Sequence, residues 1–271
     1  MKPASKWIRF ALGWGAAVFI FFPILWMLLT SLKTETQAYT TPPVLFFRPT
    51  LENFRTILAQ SSYGRYALNS VYVSFGATLV AMALSIPAAY AMAFRPGRRT
   101  QPILMWIMST KMMPPVSALI PIYLILGHFA LLDSVASLIA VYAMVNLPIT
   151  LWLVYSYFRE VPHEILEAGR MDGMTPWQEI RYLLLQMSLP GLASTALLSI
   201  VLCWNEAFWS INLTSAKAGP LTVFIATFSN PEGFFLAKLS AASVLAIAPI
   251  LAFGWMAQKQ LVRGLTFGAV K

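Results

Sequence analysis

A chain of 271 residues in which 58% are apolar and only 11% charged, with a mean hydropathy of +0.68, cannot clothe itself as a soluble domain, which normally carries about 25% charged residues. The net charge of +9 would suit nucleic acid if it formed a basic stripe, but the Lys and Arg residues fall in small groups beside apolar runs, the pattern of membrane orientation. Cys203 is the single cysteine, which excludes an intrachain disulfide and a cysteine-based metal site.

Apolar stretches of about 20 residues, enough to cross a bilayer core as a helix, cover residues 10–32, 67–94, 103–127, 134–158, 191–213 and 239–262. The predicted fold class is all-α: one polytopic membrane domain over residues 1–271 with six transmembrane helices. The first run is too long for the apolar part of a signal peptide and reads as a retained anchor. With the N-terminus inside, the cytoplasmic side holds Lys2, Lys6, Arg9, Arg95, Arg98, Arg99, Arg159, Arg170, Arg181, Lys259, Arg263 and Lys271. The outer side then holds Lys33, Arg48, Arg55, Arg65, Lys217 and Lys238. Twelve against six predicts that both termini are cytoplasmic, N-in/C-in. Residues 33–66 become an outer loop, 159–190 a cytoplasmic loop and 263–271 a cytoplasmic tail.

Within the third span, Lys111-Met112-Met113-Pro114-Pro115 combines a charge with two consecutive helix breakers. This fits either an ordinary kink or a discontinuous helix lining a pathway. Away from the span ends, Lys111 and Glu206 are the charged residues inside the spans, and such groups are costly unless paired or facing water. Their opposite signs suit an ion pair between two helices or contact with a solute. Around Glu206 stand Trp204, Asn205 and Trp209. Aromatic faces with amides and a carboxylate suit a sugar or polyol, whereas tryptophans near a span end also form interfacial belts.

The cytoplasmic loop holds five of the ten acidic residues, Glu160, Glu164, Glu167, Asp172 and Glu179. Pro162 suits the first position of an amphipathic helix, Gly173 its C-terminal glycine, and Thr175 with Gln178 a capping box on a second helix opened by Pro176. The small residues Ala168 and Gly169 predict a flat face that another protein approaches closely; a helix lying on the lipid surface fits the same periodicity. No phosphate loop, His-Glu-x-x-His or Cys-x-x-Cys occurs. No ATPase site, metal or bound cofactor is therefore expected in this chain, and if it moves a solute uphill the energy comes from a partner or an ion gradient. The rival readings are a secondary transporter driven by an ion gradient, which would need midplane carboxylates, and a membrane-embedded enzyme.

Glu167-Ala168-Gly169, Asp172-Gly173 and Leu189-Pro190 together resemble the EAA loop of the membrane subunits of binding-protein-dependent ABC importers. Gly169 stands where that family usually has Ala, which leaves the helix less stiff. Trp204-Asn205-Glu206 resembles a segment of carbohydrate permeases, and residues 258–271 are similar to their C-terminal tail. Met112-Met113-Pro114-Pro115 and Leu239-Ser240-Ala241-Ala242-Ser243 are similar to mannitol and sorbitol permeases within the maltose-type branch. The resemblance implies a type I ABC importer permease fold, a second homologous permease, two cytoplasmic ATPase subunits that hydrolyse the ATP, and an external solute-binding protein. It further implies ATPase coupling through Glu164, Glu167, Ala168, Gly169, Asp172 and Gly173, and a tail contact through Gly264, Thr266 and Gly268.

Overall fold

The structure, a computed structural model, describes residues 3–59, 62–229 and 235–267; Gly268 lies outside them. The regular structure of the described residues is helical throughout. In chain order the helices are α1 (Pro3–Ser31), α2 (Glu35–Ala38), α3 (Glu52–Ala59), α4 (Tyr63–Phe94), α5 (Thr100–Thr110), α6 (Pro115–His128), α7 (Val135–Arg159) and α8 (His163–Met171). There follow α9 (Pro176–Met187), α10 (Leu189–Trp204), α11 (Phe208–Leu213), α12 (Leu221–Ala226) and α13 (Leu236–Phe267).

Four helices are long and apolar enough to cross a membrane without interruption: α1, α4, α7 and α13. The count reaches six only if each of two bent pairs is one span. The first pair, α5 and α6, turns by 87° across Lys111 to Pro114, where two consecutive prolines remove backbone donors. The second, α9 and α10, turns by 84°, so the second loop helix and the following apolar helix make one broken element. The predicted span 191–213 is itself interrupted: α10 ends at Trp204 and α11 begins at Phe208. There the Asn205 amide donates to the Val201 carbonyl at 2.8 Å and the Glu206 carboxylate accepts the Trp209 N–H at 3.3 Å. Local side-chain bonds of this kind compete with the helix ladder.

Two compact units divide the chain. The first comprises residues 1–64 and 224–248. Its α1 is apolar all round, with Phe19 82% exposed, so lipid or another subunit must cover it. The buried Asn53 amide closes the end of α1 by donating to the carbonyls of Ser31 at 2.8 Å and Lys33 at 2.7 Å. The Lys33 ammonium lies over the rings of Trp26 and Phe47. The Glu35 carboxylate accepts the N–H groups of Ala237 and Lys238 at 2.9 and 3.0 Å, satisfying donors at the start of α13.

The second unit comprises residues 65–223 and 249–271. One core cluster gathers Tyr90, Phe94, Val154, Phe158, Leu166, Leu184 and Leu192 beneath the loop 159–190. Another gathers Val73, Val141, Tyr142, Cys203 and Trp209 further along α4 and α7. Helices α7 and α10 touch so closely that a Cβ on Gly191 would lie 2.4 Å from the Tyr157 ring; only glycine fits there.

Asp133, at φ +53°, binds the irregular segment after α11. Its carboxylate accepts the backbone N–H groups of Ser215, Ala216, Lys217 and Ala218 and the Ser215 hydroxyl, all at 2.9–3.2 Å. The Asn69 amide donates to the carbonyls of Lys217 and Gly219 at 2.8 and 3.0 Å, and the Leu221 N–H donates to the Ser70 hydroxyl at 2.7 Å. Partial desolvation alone would raise the Asp133 pKa, but the N–H groups of Ala218, Ser215 and Lys217 and the Ser215 hydroxyl outweigh it and hold the carboxyl well below the usual carboxylate range. A depressed carboxylate pKa stabilises the fold above the unfolded value of about 3.9, and that contribution is lost only as pH falls through the lower, folded value. Asp133→Ala should therefore lower the thermal midpoint in detergent at pH 7 by the equivalent of about 1–3 kcal/mol. A midpoint identical to that of the parent protein would contradict this.

Candidate functional site

The loop over residues 159–190 is built by local chemistry. Pro162 caps α8 from the position before the helix rather than opening it. Gly173, at φ +81°, ends it: the Gly173 N–H donates to the Arg170 carbonyl at 3.0 Å and the Met174 N–H to the Gly169 carbonyl at 2.9 Å. This is the paired closure of a Schellman motif. Thr175 and Gln178 then exchange side-chain and backbone bonds as a capping box at the start of α9.

The centre of α9, Glu179–Leu184, winds as a π-helix. Glu179 is 1% exposed. Its carboxylate accepts from Arg170 Nε at 3.0 Å, from Arg170 Nη2 at 3.3 Å and from the Tyr90 hydroxyl of α4 at 2.8 Å. The Glu179 carboxylate first, then the Tyr90 hydroxyl, raises the already high Arg170 pKa. A buried charge is tolerable when paired and hydrogen-bonded in this way, and the loop is thereby bolted to α4. Arg170 looked like an exposed residue of an amphipathic helix and Glu179 carried no signal. The nine-residue separation across the Gly173 turn is the trace that could have suggested the pair.

On α8, Leu166 and Gly169 turn inward. A Cβ at Gly169 would meet the Leu183 side chain at 3.0 Å and Met174 Sδ at 3.2 Å. The missing methyl therefore serves packing inside this chain, not the flat outer face expected from the sequence. Glu164, Glu167, Ala168, Met171, Asp172 and Gly173 are exposed. With Leu166 on the protein core, the outward side of α8 pairs Glu164, Glu167 and Arg170 with only Ala168 and Met171 as apolar residues, a small apolar face for an interfacial helix.

The break between α5 and α6 and the interruption between α10 and α11 meet at a cavity of about 340 Å³. Its walls include Lys111, Met113, Pro115, Val145, Glu206 and Trp209. Of the five residues predicted for a pathway, it brings together Lys111, Glu206 and Trp209. Trp204 is buried in the last turn of α10, and Asn205 turns its amide back to Val201; neither lines the cavity. Trp209 is 3% exposed, which does not fit an interfacial belt. Lys111 and Glu206 do not pair: among the described residues, the one ion pair within 4.0 Å is Arg170–Glu179. Instead Lys111 Nζ donates to the Val145 carbonyl at 3.0 Å, three residues before Pro148 inside the continuous helix α7. The Glu206 carbonyl accepts the hydroxyls of Tyr142 at 2.9 Å and Thr222 at 3.1 Å. Among the described residues, no three His, Cys, Asp or Glu side chains gather as a metal site.

Comparison with known proteins agrees with this architecture. Residues 85–266 match the family described as "Binding-protein-dependent transport system inner membrane component". The "Probable ABC transporter permease protein y4oR" of Sinorhizobium fredii is 30% identical over 98% of this chain and 96% of its own. The "Trehalose transport system permease protein SugB" of Mycobacterium tuberculosis is 30% identical over 92% of each. Among solved structures, a chain of a bacterial ABC transporter involved in the import of the acidic polysaccharide alginate superposes with a TM-score of 0.77 at 20% identity, covering 96% of this chain and 98% of that one. At that identity the likeness speaks for the fold, an all-α membrane permease resembling those of type I ABC importers. The chain belongs to the family of binding-protein-dependent transport system inner membrane components, as a multi-pass ABC transporter permease and not an enzyme.

Proposed function

We propose that this chain is one of two related permease subunits that form the translocation pathway of an ABC importer for a sugar or polyol, mannitol- or sorbitol-like in character. It sits in the bacterial inner membrane with both termini and the loop 159–190 in the cytoplasm, where α8 docks on an ATPase subunit. The observation that carries this reading is the construction of α8. Leu166 and Gly169 are spent on the protein core, the exposed side carries Glu164 and Glu167 beside Ala168 and Met171, and Arg170, Glu179 and Tyr90 fix the helix to a long apolar one. Such a helix suits a protein partner better than lipid, and a push on it is transmitted rather than absorbed.

The remaining partners follow the family pattern: a second homologous permease, two ATPase subunits that hydrolyse ATP, and an extracytoplasmic solute-binding protein. Helix α13 continues to Phe267, which places Gly264 and Thr266 in its last turns, and the tail from there through Gly268 is assigned to contact the ATPases. The carbohydrate class is supported by the trehalose system named for one relative, and the polyol branch by the likeness of residues 112–115 and 239–243 noted above.

Two variants test the coupling role. Glu167→Lys should reduce ATP-dependent uptake at least about tenfold while membrane levels stay unchanged; normal uptake would sink the assignment of α8. Tyr90→Phe removes one hydrogen bond to the buried carboxylate, worth about 1.5–3 kcal/mol, without removing its counter-ion. It should lower the solute imported per ATP hydrolysed while hydrolysis continues. An unchanged ratio would show that the Tyr90 contact is only structural.

A further inference from the structure

We propose that the cavity between Lys111 and Glu206 binds one small, net-neutral polyhydroxylated molecule, and that these two side chains select it over charged analogues. This rests on the permease reading and deepens it.

Of the residues lining the cavity, Lys111 and Glu206 are the two that carry charge. Had they served only to join helices, contact between them would have offset the cost of taking both from water. Each is held to the backbone instead. Lys111 Nζ spends one donor on the Val145 carbonyl, leaving two of the three that an ammonium offers. Glu206 accepts the Trp209 N–H on Oε1, leaving further acceptor positions on its carboxylate. The hydroxyls of Tyr142 and Thr222 pin the Glu206 carbonyl, so the direction in which the side chain leaves the broken helix is fixed.

Donors at Lys111 and acceptors at Glu206, both lining the cavity, complement an array of hydroxyls. Met113, Pro115, Ile122 and Trp209 supply apolar surface for the C–H faces between them. A carboxylate ligand gains at Lys111 but meets Glu206, and an amine meets the reverse, so a net-neutral molecule is favoured over either. At about 340 Å³ the cavity lies near the lower end of the range of about 300–1,000 Å³ for small-molecule sites, room for one sugar-sized unit.

The test uses the complete transporter in proteoliposomes without nucleotide. Met113→Cys is labelled with a maleimide, and mannitol, gluconate and glucosamine are compared as protectants; the native Cys203 is buried. Mannitol should protect at a concentration about tenfold lower than either charged sugar. Adding Glu206→Gln should shift preference towards gluconate, adding Lys111→Met should shift it towards glucosamine, and the double variant should restore the preference for mannitol. Equal losses for all three ligands in both single variants would reduce the two charges to structural roles and overturn the proposal, as would a parent preference for a charged sugar. Absence of protection while ATP-dependent mannitol uptake proceeds would overturn the site and leave the permease reading intact. Protection with the predicted shifts but without any ATP-dependent uptake would support the site and count against the permease reading.

Discussion

The structure turns on one buried carboxylate. Glu179 is nearly sealed from solvent, and among the described residues its carboxylate is held by Arg170 across the Gly173 turn and by Tyr90 from α4. Removing one partner of such a pair leaves an uncompensated charge, which is far more damaging than the loss of a surface ion pair. The geometry of α8 follows from this need. Gly173 reverses the chain sharply enough to return Arg170 towards α9, the Thr175 box fixes where α9 starts, and Gly169 lets α8 settle against Leu183. What remains outside is an acidic surface held in a fixed orientation.

Two helices carry that orientation towards the cavity. On α7, Phe158 belongs to the core beneath the loop and Pro148 lines the cavity. Their separation of ten positions corresponds to about 15 Å of helix. On α10, Gly191 meets the Tyr157 ring at one end, and Glu206 follows just beyond the other. A displacement of α8 therefore has a short mechanical route to both charged walls. Interiors packed this tightly transmit strain rather than absorb it.

Features decided within three or four residues were legible in the sequence. Gly173, the Thr175–Gln178 box and the break at Pro114-Pro115 depend on local backbone chemistry, and each stands where its residue types predict. Contacts between distant residues were not legible. Tyr90 and Glu179 are separated by 89 residues, and Asp133 binds a segment 82–85 residues away. No periodicity marks either. The continuous span expected over residues 191–213 failed because summed hydropathy does not register that Asn205 and Glu206 divert local hydrogen bonds. Gly169 was assigned to the wrong side of its helix because small size on an amphipathic turn fits an inward packing contact as well as an outward approach. Lys111 and Glu206 were recognised by their charge, but only the geometry separates two backbone-anchored groups from an ion pair.

The central claim is that the exposed face of α8 meets an ATP-hydrolysing subunit. The most direct measurement is photo-cross-linking in native membranes from a benzophenone side chain placed at Ala168, with Leu166, which faces the core, as the control position. The account predicts an adduct with the ATPase from Ala168 and none from Leu166. Adducts with lipid alone from Ala168, in a transporter that still imports its solute, would contradict it.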